Sequence, residues 1–156
     1  MAINNILKII DENKDSISII ALSLVSSHFS HYYDVIKLRE ICKQYQIYLF
    51  IDLAHSLGAV PINLTELDVD AAYMSSSKYL NSGPGCVGAI YINPRYKNVR
   101  PGLRGWFGTD RKVLTMQELK YSPSNEGLKR FQISGYDPIQ LVRFDASLSY
   151  FVEAKM

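Results

Sequence analysis

The period of the apolar positions changes several times along the chain, and each change predicts an element. Residues 2–13, AINNILKIIDEN, place Ile3, Ile6, Leu7 and Ile10 on one face at helical spacing, which predicts a short amphipathic helix. Residues 17–24 form a continuous β-branched and apolar run, the pattern of a strand buried in a parallel sheet. Residues 26–33, SSHFSHYY, interrupt it and predict a loop. Asp34 can cap a helix over 35–45 with Ile36, Ile41, Cys42 and Tyr45 facing inward. Residues 47–51 are again short and apolar, so strand, helix and strand make a βαβ unit with an expected right-handed crossover.

The pattern continues less regularly. A short helix is expected after His55, running toward Ala59 and ending before Pro61, because a residue preceding proline avoids the helical region. Residues 64–69 are expected to connect, 71–76 to form a strand, and 87–92 to return as a tight antiparallel strand closed by Asn93-Pro94. Periodicity fades between Tyr96 and Ile133, which predicts a long irregular region of the kind that usually carries function or disorder. Residues 138–153 recover helical spacing through Ile139, Val142, Leu148 and Phe151, with Pro138 suited to the first turn. The fold class expected is α/β, with a mainly parallel sheet flanked by helices.

Composition narrows the function classes. The 156 residues are 47% hydrophobic and 21% charged, an ordinary globular balance, and long enough to bury a sizeable core. Seventeen basic against fifteen acidic residues leave a net charge of +2, too balanced to imply nucleic acid or an anionic membrane as partner. Two cysteines, Cys42 and Cys86, make no disulfide framework and fit a reducing, cytoplasmic setting. No signal-peptide pattern and no apolar run of membrane-spanning length is present, so a soluble protein is expected.

Candidate chemistry concentrates in residues 50–88. Asp52 and His55 stand at the carboxyl end of the second expected strand, and carboxyl ends of parallel strands are where α/β sheets bind ligands. The strand over 71–76 runs into Ser75-Ser76-Ser77-Lys78 and then the turn Asn81-Ser82-Gly83-Pro84-Gly85. An aspartate and a lysine converging in this way suit pyridoxal phosphate. Its aldehyde condenses with a lysine amine, while a carboxylate pairs with the protonated pyridine nitrogen and keeps the ring an electron sink. Taken singly, each residue has a plainer reading: Asp52 as a helix cap, His55 as a packing residue, Lys78 as surface charge.

Three blocks together are more specific. Asp52-Leu53-Ala54-His55, then Ser77-Lys78-Tyr79-Leu80-Asn81 with Gly83-Pro84-Gly85, then Gly105-Trp106-Phe107-Gly108 resemble, in order and spacing, the corresponding blocks of kynureninase, a fold-type-I pyridoxal-phosphate enzyme related to the class V aminotransferases. The resemblance implies that residues 1–156 are part of the large, cofactor-binding domain, without the preceding phosphate-binding and ring-stacking residues and without the small C-terminal domain that supplies an arginine for the substrate carboxylate. It implies a cytoplasmic homodimer acting on a small amino acid, kynurenine or 3-hydroxykynurenine, in tryptophan catabolism. It further implies roles: Lys78 as the residue that holds the aldehyde, Asp52 at the pyridine nitrogen, His55 and Ser23 beside the cofactor, and Trp106 at the phosphate and substrate ring of the neighbouring subunit. No metal is implied. Two departures stand out. Ser77 occupies the place of a tyrosine that donates to the cofactor phosphate, so a shorter hydroxyl would have to reach through a water. FQISGYDPI, residues 131–139, lacks the arginine and asparagine that help to position substrate. Another class V activity (an aminotransferase, a cysteine desulfurase or a related lyase) or an inactive truncated product are the alternatives.

Overall fold

A computed structural model describes residues 3–110, 122–125 and 127–155, which separate into two compact units, Met1–Asn93 with Pro138–Met156, and Pro94–Asp137. In the first unit, helix α1 (Ile3–Asn13) leads to β1 (Ile19–Ser23), α2 (Val35–Gln44), β2 (Tyr48–Asp52), a one-turn helix α3 (Leu64–Leu67), β3 (Ala71–Ser75), β4 (Gly88–Ile92) and finally α4 (Pro138–Glu153). The four strands form one sheet in the order β1-β2-β3-β4, with β1, β2 and β3 parallel and β4 antiparallel to β3. The α/β architecture with a mostly parallel sheet and flanking helices, and the antiparallel return of β4, agree with the hydrophobic pattern.

The core lies against one face of the sheet. Leu49 and Ile51 of β2, Ala72 of β3, and Val35, Leu38 and Cys42 of α2 are buried together with Ile10 of α1. Burying each large aliphatic side chain contributes about 1.5–3 kcal/mol. Helix α2 is capped as expected, Asp34 accepting from the Lys37 N–H at 3.2 Å. Its inward face differs from the expected one: Val35, Leu38, Arg39 and Cys42 are buried, Ile41 and Tyr45 pack partly, and Ile36 is exposed. The apolar positions alone do not mark that face, because Arg39 shares it. Its guanidinium reaches the buried Asp70 carboxylate at 2.8 Å, and Asp70 also accepts the Leu49 N–H at 2.7 Å. This pair ties α2 to the amino end of β3, where a charge in the core is tolerated only because it is matched.

Three further local expectations are corrected. Each strand is shifted or shortened by a residue or two, so that Asp52 is the last residue of β2 and not the first beyond it. No helix forms after His55. The chain makes successive turns instead and passes through Gly58 at φ +85°, where a Cβ would sit 2.9 Å from the Tyr79 carbonyl oxygen. The supposed connector 64–69 contains α3, whose first N–H groups are satisfied by the Asn63 side chain and which stops at Asp68 in the left-handed region.

The second unit, where periodicity fades, holds only short 3-10 turns among its described residues: Pro94–Tyr96, Trp106–Gly108 and Lys129–Phe131. Gly105 and Gly108 abut the backbone of residues 130–133 so closely that a side chain at either would collide with a carbonyl group. Part of the expected irregular region, residues 111–121 and 126, lies outside the described residues.

Candidate functional site

The parallel strands β1, β2 and β3 end side by side, and the register pairs Ser23 with Asp52 and Asp52 with Tyr73. Because side chains alternate across a sheet, these three project from the same face, the one opposite the core. The Asp52 carboxylate accepts the Ala54 N–H on Oδ1 at 2.7 Å and the Ser23 hydroxyl on Oδ2 at 3.3 Å. The Tyr73 phenol is beside it: burial first, then the Asp52 charge and a hydrogen bond to that carboxylate, push the phenol above its ordinary range. Asp52 is thus a strand-end carboxylate oriented by neighbours on both flanking strands.

Lys78 lies on the loop that leaves β3. The loop is closed by the Ser82 N–H donating to the Ser76 carbonyl at 3.0 Å, and inside it the Asn81 N–H donates to the Lys78 carbonyl at 2.9 Å. Ser76 is buried, its hydroxyl donating to the Val87 carbonyl at the start of β4, which pins the loop to the sheet. The neighbouring hydroxyls of Ser75 and Ser77 are 2.8 Å apart. Asn81, Gly83 and Gly85 all have positive φ, the conformation that makes this turn possible and that glycine adopts without strain.

The Lys78 amine meets His55, with Nζ 3.2 Å from Nε2 and 3.4 Å from Nδ1. The imidazole and the amine are thus within hydrogen-bonding distance of each other. The absence of a Cβ at Gly58 lets the turn after His55 press against residues 79–80, which brings the imidazole to the lysine. Among the described residues no carboxylate lies within ion-pair distance of Lys78. The Lys78 side chain is exposed.

Of the residues singled out in the sequence, Ser23 and Asp52 are in direct contact, and so are His55 and Lys78. Ser77 is one residue from Lys78 with its hydroxyl turned to Ser75. Trp106 belongs to the second unit, where it is 62% exposed and packs edge-on against Phe107 with ring centroids 4.4 Å apart. Tyr73 was missed, although its signal was available: in a strand over 71–76 a period of two puts residues 71, 73 and 75 on one face. A cavity of about 620 Å³ lies between the turn of residues 81–84 and α4, where Arg143, Ser147 and Phe151 line it. Asp52, His55 and Lys78 do not line that cavity, and the chemistry of these three on the sheet edge is the stronger indication of a site.

The fold is α/β with a mostly parallel sheet, and comparison with known proteins makes the class specific. The profile of the family described as aminotransferase class-V matches residues 1–151, and the chain belongs to that family. A kynureninase of Shouchella clausii is 34% identical over 146 residues, covering 94% of this chain and 34% of that protein. Among solved structures, the apo cysteine desulfurase of Thermococcus onnurineus NA1 superposes with a TM-score of 0.74 at 21% identity over 94% of this chain and 36% of its own. A lysine-to-alanine mutant of the lyase C-DES, with glycine covalently linked to the PLP cofactor, gives 0.75 at 20% identity over 87% of this chain and 35% of its own. These two likenesses establish the fold. The chain spans about a third of the length of the curated relatives it matches.

Proposed function

We propose that residues 1–156 are part of the large domain of a kynureninase-like hydrolase, carrying the lysine and the carboxylate of its pyridoxal-phosphate site. The observation that carries this reading is the Lys78 amine, exposed, free of any carboxylate among the described residues and 3.2 Å from the His55 imidazole, on the loop next to the strand that ends in Asp52. Pyridoxal phosphate, the cofactor of class V enzymes, supplies an electron sink when bound. Lys78 would hold its aldehyde and would move the proton at the substrate α-carbon. Asp52, kept in place by Ser23 and the Ala54 N–H, would pair with the pyridine nitrogen. His55 would stand beside the amine and the cofactor. Ser77 would reach the phosphate through water, and Trp106 would serve the phosphate and substrate ring of a neighbouring subunit in a homodimer. The reaction is hydrolysis of the Cβ–Cγ bond of kynurenine or 3-hydroxykynurenine, giving anthranilate or its 3-hydroxy form and alanine, in the cytoplasm.

The relatives' shared name, at 30–34% identity, supports this activity over others of the class. A desulfurase needs a reactive thiol. Cys42 is wholly buried, and burial pushes its thiol up to about 11. The Cys86 thiol donates to the Gln140 carbonyl at 3.2 Å. Neither suits attack on a bound substrate.

Mixing the chain with pyridoxal phosphate and recording its visible absorbance tests the cofactor site. The expected result is the band of a lysine-bound aldehyde that disappears in Lys78→Ala. No band, or an unchanged band in the variant, overturns the reading. Anthranilate fluorescence from kynurenine then tests the hydrolase activity.

A further inference from the structure

The Asp52 carboxylate has more partners than the cofactor reading assigns. An ionised carboxylate has about four lone-pair positions. One is filled by the Ala54 N–H and one by the Ser23 hydroxyl. Tyr73 stands opposite Asp52 in the register of adjacent parallel strands, on the same face, half exposed at 46%. A tyrosine so exposed is not needed to fill the core, and the residues that pack the core from β3 are its neighbours Ala72 and Met74, on the other face.

We propose that Tyr73 is a positioning residue of the cofactor site: its phenol, side by side with Asp52 on β3, donates to the carboxylate and leaves one lone-pair position for the pyridinium nitrogen. The proposal rests on the pyridoxal-phosphate reading and deepens it. Ser23 from β1 and Tyr73 from β3 hold the carboxylate from opposite flanking strands, and Ala54 holds it from its own chain, so the group cannot swing about its side-chain bonds. Burial first, and then the Asp52 charge, raise the phenol above its ordinary range, so it remains a donor at neutral pH.

Tyr73→Phe removes one oxygen from a half-exposed ring and leaves the core face of β3 untouched, so the variant folds. Carbon-13 NMR of aspartate-labelled, cofactor-free chain reads the Asp52 carboxyl directly. Loss of the donor is expected to move its resonance at neutral pH. Pyridoxal-phosphate affinity, measured by absorbance titration at neutral pH, is expected to weaken about two- to tenfold, the range of a single hydrogen bond. A tyrosine that merely packs would leave the carboxyl resonance unmoved. An unchanged Asp52 resonance, or a variant that binds cofactor within experimental error of the wild type, overturns the proposal. Failure of the wild-type chain to bind the cofactor overturns the underlying reading and the proposal with it, and is distinguished by appearing before any substitution is made.

Discussion

Leu22, Ile51, Ala72 and Tyr91 make one row across the sheet, and Ser23, Asp52, Tyr73 and Ile90 make the next, a single residue further along the parallel strands. The first row packs into the core under α1, α2 and α3. The second lies on the opposite face, where Ile19, Tyr48, Tyr73 and Ile90 are each about half exposed. A parallel sheet ordinarily has both faces covered. One pleat therefore separates two jobs: the covered row holds the fold together, and the open row presents a carboxylate, two hydroxyls and an apolar floor to whatever binds.

The comparison is sharpest where the covered face depends on charge. Removing the nearer partner of a buried ion pair leaves the other poorly matched, so Asp70→Ala, which leaves Arg39 only Asp68 at 3.6 Å and strips the Leu49 N–H of its acceptor, is expected to cost about 3–5 kcal/mol in chemical denaturation. A loss under about 1 kcal/mol would mean that α2 is not held by this pair. Truncation on the two faces should then differ. Leu49→Ala, at a fully buried position, is expected to cost about 2–5 kcal/mol. Ile90→Ala, half exposed on the open face, should cost about 1 kcal/mol or less by thermal or urea unfolding. Equal costs would show that something covers the second face in solution. Smallest in stability and specific in function is Asp52→Asn. The amide keeps an oxygen for the Ala54 N–H, so the melting temperature should hardly move, while cofactor binding should lose about 1.5–3 kcal/mol with the charged hydrogen bond. A variant that binds pyridoxal phosphate as the wild type does would remove Asp52 from the site.

Much of this was legible in the sequence because strands and helices of this size announce themselves by period. The runs near 19, 48, 71 and 88 are strands within a residue or two, α1, α2 and α4 fall where the spacing puts them, and the antiparallel return of β4 follows from its short connection. The departures occur where one residue type serves two ends. Ile36 is apolar and would join the inward face of α2 by hydrophobicity, yet Arg39 takes a buried place because Asp70, thirty-one residues later, matches its charge. The turn after His55 has the helix former Leu57 but follows Gly58 into a left-handed conformation to meet the backbone at Tyr79. No local window contains either partner.

The candidate site divides in the same way. The residue types and their order along the chain, aspartate and histidine after one strand and lysine with a glycine turn after the next, are properties of the sequence, as is membership of the class V aminotransferase family. That the Lys78 amine rests on His55, that Ser23 holds Asp52 and that Tyr73 stands against the same carboxylate depend on strand register and on a close approach at Gly58. A period of two tells which residues share a face of their own strand, but only pairing between strands twenty or more residues apart decides which side chains meet. The chemistry was written along the chain, and the contacts that prepare it were decided by the sheet.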